Sequence, residues 1–177
     1  AKNIGAPSPA AMSFGLAGAW VQSLFIRIGF SPADAYSLMH VFWITIAYFC
    51  AYKISLNFCN NRRLAIIVGA TWVAFPIGWG HTGFSMLALG ILLFPLYFLS
   101  VINLHQKIGS PIKAYIIPII FHMLCCIISV FMDGYTFMMF AVGSLSLTLA
   151  NFITGDTDKS LFLTKVLPIH FISFFIA

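Results

Sequence analysis

Long apolar runs alternate with short polar breaks along this chain. The runs are 35–58, 64–79, 84–102, 114–132 and 135–153, and a sixth occupies 161–177. A helix needs about 20 apolar residues to cross the hydrocarbon of a bilayer. The pattern therefore predicts membrane helices, with the second run short. Prolines 76, 95, 118 and 168 fall inside or at the ends of the runs and predict kinks, which suit a bundle that encloses a cavity. Residues 76–85, PIGWGHTGFS, break the pattern with three glycines, a proline and His81.

The first 34 residues differ. AKNIGAPSPA reads as loop, and AMSFGLAGAWVQSLFIRIGF as an apolar helix interrupted by glycines, Gln22 and Arg27. We expect this helix on the membrane surface or folded into an external loop, with Trp20 and Arg27 at the headgroup level. SPAD at 31–34 reads as a helix start, with Ser31 at the N-cap and Pro32 at the first helical position. The expected fold is all-α: a polytopic transmembrane bundle of five to six spanning helices (35–177), preceded by an external segment with an interfacial helix (1–34).

Composition sharpens this picture. The chain has 177 residues, 61% hydrophobic and 7% charged, with a mean hydropathy of +1.00. Soluble domains carry about 25% charged residues, so the lipid bilayer is the expected solvent. Lys and Arg favour cytoplasmic loops. Lys53, Arg62, Arg63, Lys107, Lys113, Lys159 and Lys165 fall on one set of connections, and Lys2 and Arg27 on the other. This asymmetry predicts a multi-pass membrane protein whose NNRR, NLHQKIGSPIK and TGDTDKS connections face the cytoplasm. It also accounts for the net charge of +5 without nucleic acid. The chain begins at Ala1 and ends within an apolar run, which reads as a piece of a longer protein. Its first residues lack the apolar core of a signal peptide.

The predicted outer face gathers an unusual polar set: Asp34 and His40 on the first long helix, His81 in the glycine-rich turn, and Asp133 and Tyr135 in MDGYT. Two acids and two imidazoles suit acid–base chemistry or phosphate contacts. Each has a plainer role open to it: helix-end charge for Asp34, a turn for Asp133, a helix–helix hydrogen bond for His40 and a solvated turn for His81. His122 and His170 fall near mid-bilayer depth and read as structural hydrogen-bonding groups. His105 reads as solvated in a cytoplasmic loop. The four cysteines form no disulfide framework, and HMLCC at 122–126 offers at most half a metal site. No cofactor is firmly implied, and a divalent metal is compatible with the outer set.

Three stretches carry a resemblance: NIGAP, RIGFSPADAYSLMHVFWITIAYFCAYKI and AFPIGWGHTGFSMLALGILLFPLYFL. They resemble bacterial GT-C membrane glycosyltransferases, in particular the polytopic kind that modify surface polysaccharides. The similarity covers roughly residues 3–100. It implies a polyprenyl-phosphate-linked sugar as donor, a glycan or lipid as acceptor, and transfer on the external face. It also implies an acid in the first large external loop as general base. Here no acid precedes Asp34, so Asp34 takes the role, or the acid lies upstream of Ala1, or this copy is inactive. His81 matches the family's turn histidine and would contact the donor phosphate, with Arg27 beside it. Asp34 and Asp133 are the candidate bases, and Arg27, His40, His81 and Tyr135 the candidate substrate contacts. The rival readings are a transporter or flippase and a noncatalytic membrane subunit. A polar stripe running through the bundle would favour the transporter.

Overall fold

The computed structural model describes residues 15–76, 86–107, 109–154 and 165–176. Residues 77–85, and His81 with them, lie outside this set, as does the NIGAP stretch. The described residues form an all-α bundle: α1 (Leu16–Ile28), α2 (Pro32–Cys59), α3 (Arg62–Ala74), α4 (Met86–Leu92), α5 (Phe94–Gln106), α6 (Ile112–Met132), α7 (Gly134–Thr154) and α8 (Leu167–Ile176). Among the described residues four stretches are long and apolar enough to cross a membrane: α2, α4–α5 taken from Leu89 to Gln106, α6 and α7. The shorter α3 and α8 have 13 and 10 residues. The second apolar run thus yields a helix that stops at Ala74, ahead of Pro76.

Helix ends follow local chemistry. The Ser31 hydroxyl accepts the Asp34 N–H and donates to Asp34 Oδ2 at 2.6 Å, which starts α2 with Pro32 at its head. Asn60 ends α2 in the left-handed region at φ 46°, where asparagine is tolerated. Asn61 Oδ1 then caps α3 by accepting from the N–H groups of Arg63 and Leu64. Pro95 breaks the ladder between α4 and α5, and the indole N–H of Trp72 in α3 donates to the Leu92 carbonyl there at 2.8 Å. In lipid a freed carbonyl needs such a partner.

Packing uses small residues at close approaches. The stripe Ala35, Met39, Trp43, Ala47, Ala51 and Ser55 of α2 is buried at four-residue spacing, and α3 packs on α2 with Gly69 close against Tyr48. Deeper, Leu89, Leu93, Tyr97 and Val101 of α4–α5 meet Cys125, Cys126 and Met132 of α6 and Phe140 of α7. Large apolar side chains such as Ile67, Ile117, Val142, Leu149 and Phe175 stay exposed on the outside, as expected where lipid is the solvent. α1 packs on α2 and α6. Its start is tied by Gly15 N–H to Met132 O, and Gln22 Nε2 donates to Pro32 O. α1 therefore runs back along the first turns of α2.

Candidate functional site

The interior of α5–α8 is polar where a membrane bundle would ordinarily be apolar. On α7 the buried stripe is Thr136, Phe140, Ser144 and Thr148, one residue per turn. On α6 it is His122, Cys126 and Ser129, and on α8 His170 and Ser173. α5 adds Tyr97 and Ser100. Helical spacing of three and four residues brings each set onto one inward face.

These groups join in one hydrogen-bonded chain. The Ser100 hydroxyl donates to Tyr97 O at 2.6 Å and pairs with His122 Nδ1 at 3.0 Å. His122 Nε2 pairs with His170 Nδ1 at 3.0 Å. His170 Nε2 pairs with Thr148 Oγ1 at 3.1 Å. Thr148 Oγ1 also faces His105 Nε2 at 3.5 Å, and His105 Nδ1 pairs with Asn151 Nδ2 at 3.2 Å. The middle is sealed from solvent: Ser100 and His122 are 0% exposed, Thr148 1% and His170 5%. His105 and Asn151 are half-buried, at the end of the bundle that carries Lys107. The chain thus runs from the Lys/Arg-bearing end to about the middle of the bundle.

An aromatic layer closes it on the far side. Phe140 and Phe174 stand 5.8 Å and 5.9 Å from the His122 ring, edge-on, and 5.3 Å from each other. Tyr97 adjoins Phe140 at 5.1 Å. Around this layer are buried hydroxyls with no partner among the described residues: Tyr97 OH, Ser144 Oγ and Ser173 Oγ. A cleft of about 240 Å³ between α7 and α8, lined by Leu145, Phe171 and Phe174 among others, reaches His170.

The residues expected to act at the outer face are not drawn together in this way. Asp34 is exposed and spent on Ser31. His40 Nδ1 bonds its own helix at Tyr36 O, 3.0 Å, with its ring 4.4 Å from that of Tyr36. Asp133 sits between α6 and α7, where Oδ2 accepts from the Thr136 N–H at 3.0 Å. Tyr135 is exposed, as is Arg27 in the last turn of α1. Leu16, Phe131 and Trp43 line one groove, so the Asp133 end of α6 lies level with Trp43. Asp34 precedes Trp43 by nine residues and so stands about 13 Å farther along the α2 axis, at 1.5 Å per residue. The two candidate bases thus stand at different heights along the bundle.

Two expectations change. His105 is not a solvated loop residue: α5 continues through Gln106, so the imidazole is held between Thr148 and Asn151. His122 and His170 do hydrogen-bond between helices, but they bond to each other and to two hydroxyls within a longer chain. The overlooked signal was the register of the hydroxyls, Ser144 and Thr148 one turn apart on α7, and Ser100 five residues before His105 on α5.

Fold and site together define a helical bundle suited to a membrane, with a buried imidazole–hydroxyl chain in its interior. Comparison with protein-family models, curated proteins and solved structures finds no match. Among the described residues no group of three or more His, Cys, Asp or Glu is placed to hold a metal ion.

Proposed function

We propose that the chain belongs to a membrane transporter, in which the polar interior of α5–α8 is the path of a small polar or ionic cargo. One observation carries this reading. The hydrogen-bonded chain is followed, at the aromatic layer, by the unpartnered buried hydroxyls of Tyr97, Ser144 and Ser173. An unpaired buried hydroxyl costs about 1–3 kcal/mol, and lipid offers it no partner. Three together are retained when another state of the protein, or its cargo, satisfies them. Ionisable groups inside membrane bundles mark ion and substrate paths. In this reading the Lys/Arg end faces the cytoplasm of a bacterial inner membrane.

Thiol labelling tests it. Cys59 is exposed, and Cys50, Cys125 and Cys126 are buried, Cys126 beside His122 on the same path, so all four are replaced by alanine to give a background silent toward a membrane-impermeant methanethiosulfonate. In proteoliposomes, Ser144→Cys and Ser173→Cys in that background are expected to react as the path opens. If both stay unlabelled from either side of the membrane, the transport reading is wrong.

The glycosyltransferase reading keeps one observation of its own. Asp133 is half-buried at the end away from Lys107, its Oδ2 fixed by Thr136, and Oδ1 has no partner among the described residues. That posture suits a base acting on an acceptor hydroxyl, with a polyprenyl-phosphate-linked sugar as donor and a surface glycan or lipid as acceptor. Because a general base contributes about 10²–10⁴-fold, Asp133→Asn is then expected to cut donor-dependent glycan labelling in cells at least 100-fold, while Asp34→Ala changes it little. Unchanged labelling in Asp133→Asn removes this role.

A further inference from the structure

We infer that the His105–Thr148–His170–His122 chain is a proton-loading relay, which carries a proton from the Lys/Arg-bearing end of the bundle to an imidazole pair at mid-depth. This names the proton as a species the path takes up, and its meaning for transport rests on the transport reading above.

The direction of every hydrogen bond follows from one end. The Ser100 hydroxyl gives its proton to Tyr97 O, so Ser100 Oγ accepts from His122 Nδ1–H. A neutral His122 then has a bare Nε2, which accepts from His170 Nδ1–H. His170 Nε2 accepts from the Thr148 hydroxyl. Thr148 Oγ1 accepts from His105 Nε2–H, and His105 Nδ1 must accept from its last neighbour. That neighbour is the Asn151 amide nitrogen, a donor. The two ends agree, and all three imidazoles are neutral with one fixed tautomer each.

Such an array passes a charge without moving a heavy atom far. A proton from water at the half-buried end bonds His105 Nδ1 and displaces the Asn151 N–H. His105 Nε2–H breaks as its proton goes to Thr148 Oγ1. The Thr148 hydroxyl proton goes to His170 Nε2, and His170 Nδ1–H breaks as its proton goes to His122 Nε2. One proton has entered and one positive charge rests on His122, which now holds protons on both nitrogens. His105, Thr148 and His170 are neutral again, with the imidazole protons on the opposite nitrogens. The Asn151 amide completes the reversal by presenting Oδ1 to His105 Nδ1–H.

The surroundings suit loading from one side. Besides the three imidazoles, the titratable groups on these elements are Tyr97 on α5 with Lys107 just past its end, Lys113, Tyr115, Cys125 and Cys126 on α6, Tyr135 on α7 and Lys165 at the head of α8; Asp133 lies between α6 and α7, beyond Phe140, and Cys50 is on the buried face of α2. Cys126 Sγ approaches His122 Nε2 at 3.8 Å. No carboxylate among them offers the proton a competing resting place on the relay side of Phe140. Beyond His122 the route meets the Phe140–Phe174 layer, so the charge stops there until the bundle changes shape.

The test uses the full chain, labelled with ¹⁵N-histidine, in liposomes under magic-angle-spinning NMR. At neutral pH the ring signals are expected to report Nε2–H for His105 and Nδ1–H for His122 and His170. Water-edited spectra then time the arrival of bulk-water protons at each ring. Thr148→Val keeps the shape and removes the hydroxyl, and it is expected to slow exchange at His122 at least tenfold, with Thr148→Ser restoring it. A static structural network gives slow His122 exchange in the unmodified chain and no change in Thr148→Val, and either result overturns the relay. Slow exchange together with thiol labelling at Ser144→Cys overturns the relay alone. Rapid exchange without labelling overturns the transport reading and leaves proton loading standing.

Discussion

His122→Phe lowers the stability of the folded bundle by about 2–4 kcal/mol, read as a fall in the midpoint of denaturant or thermal unfolding in detergent micelles. Phenylalanine keeps a planar ring but is larger by about one methylene, so some overpacking adds to the polar loss. Two interhelical hydrogen bonds disappear, to Ser100 and to His170, each worth about 0.6 kcal/mol between membrane helices. The larger part comes from what remains. His170 Nδ1–H is left buried with no acceptor, and an orphaned buried donor costs about 1–3 kcal/mol. The surroundings offer no replacement, because Phe140 and Phe174 pack against the His122 ring from the other side. A second change separates this account from simple misfit. His122→Phe combined with His170→Phe removes donor and acceptor together, and the double variant is expected to lose less than the two single losses added. Additive losses would mean that the His122–His170 bond contributes nothing, and that the relay geometry is not held by it.

The relay was legible only in part, for a physical reason. Apolar length predicts a membrane helix because hydrocarbon thickness is fixed, and the runs 114–132 and 135–153 match α6 and α7 to within a residue or two. Ser31, Pro32 and Asp34 form a helix start through contacts four residues apart or fewer, so local sequence suffices. Partner choice is different. His122 and His170 are 48 positions apart, and His105 and Asn151 are 46 apart. Their meeting depends on how α6, α7 and α8 are rotated about their axes, which hydropathy does not encode. What did carry the rotation was the placing of small polar residues: Thr136, Ser144 and Thr148, at spacings of eight and four, mark the inward face of α7, although Ser146 shows that a hydroxyl alone does not. The outer acids are the converse case. Asp34 and Asp133 share an end of the bundle by topology, but α2 is 28 residues long and α6 is 21, so the two helix ends need not lie at one height.

Gly90→Ala is expected to destabilise the bundle by about 2–3 kcal/mol, toward the upper part of the range for overpacking a filled interior. A Cβ built on Gly90 of α4 collides with Thr136 Oγ1 and lies 3.0 Å and 3.1 Å from Thr136 Cβ and Cγ2. Thr136 cannot turn away freely, because it is fully buried and its N–H and hydroxyl both bond Asp133 Oδ2. α4 and α7 must therefore separate, or Asp133 must give up one of its partners. Other glycines provide the internal scale. A Cβ on Gly143 meets the rim of the Phe98 ring at 2.7 Å, a side chain that can swing, and one on Gly109 meets nothing within 4 Å. The expected order of loss is Gly90→Ala, then Gly143→Ala, then Gly109→Ala near zero, measured as unfolding midpoints in one detergent. Thr136→Ala in the Gly90→Ala background removes Oγ1 and Cγ2 and is expected to recover part of the loss, although Thr136→Ala alone destabilises. Such a reversal of sign identifies the collision as the cause. If Gly90→Ala and Gly109→Ala lose equally little, α4 does not approach α7 as closely as this packing requires, and the support for Asp133 at that end of the bundle falls with it.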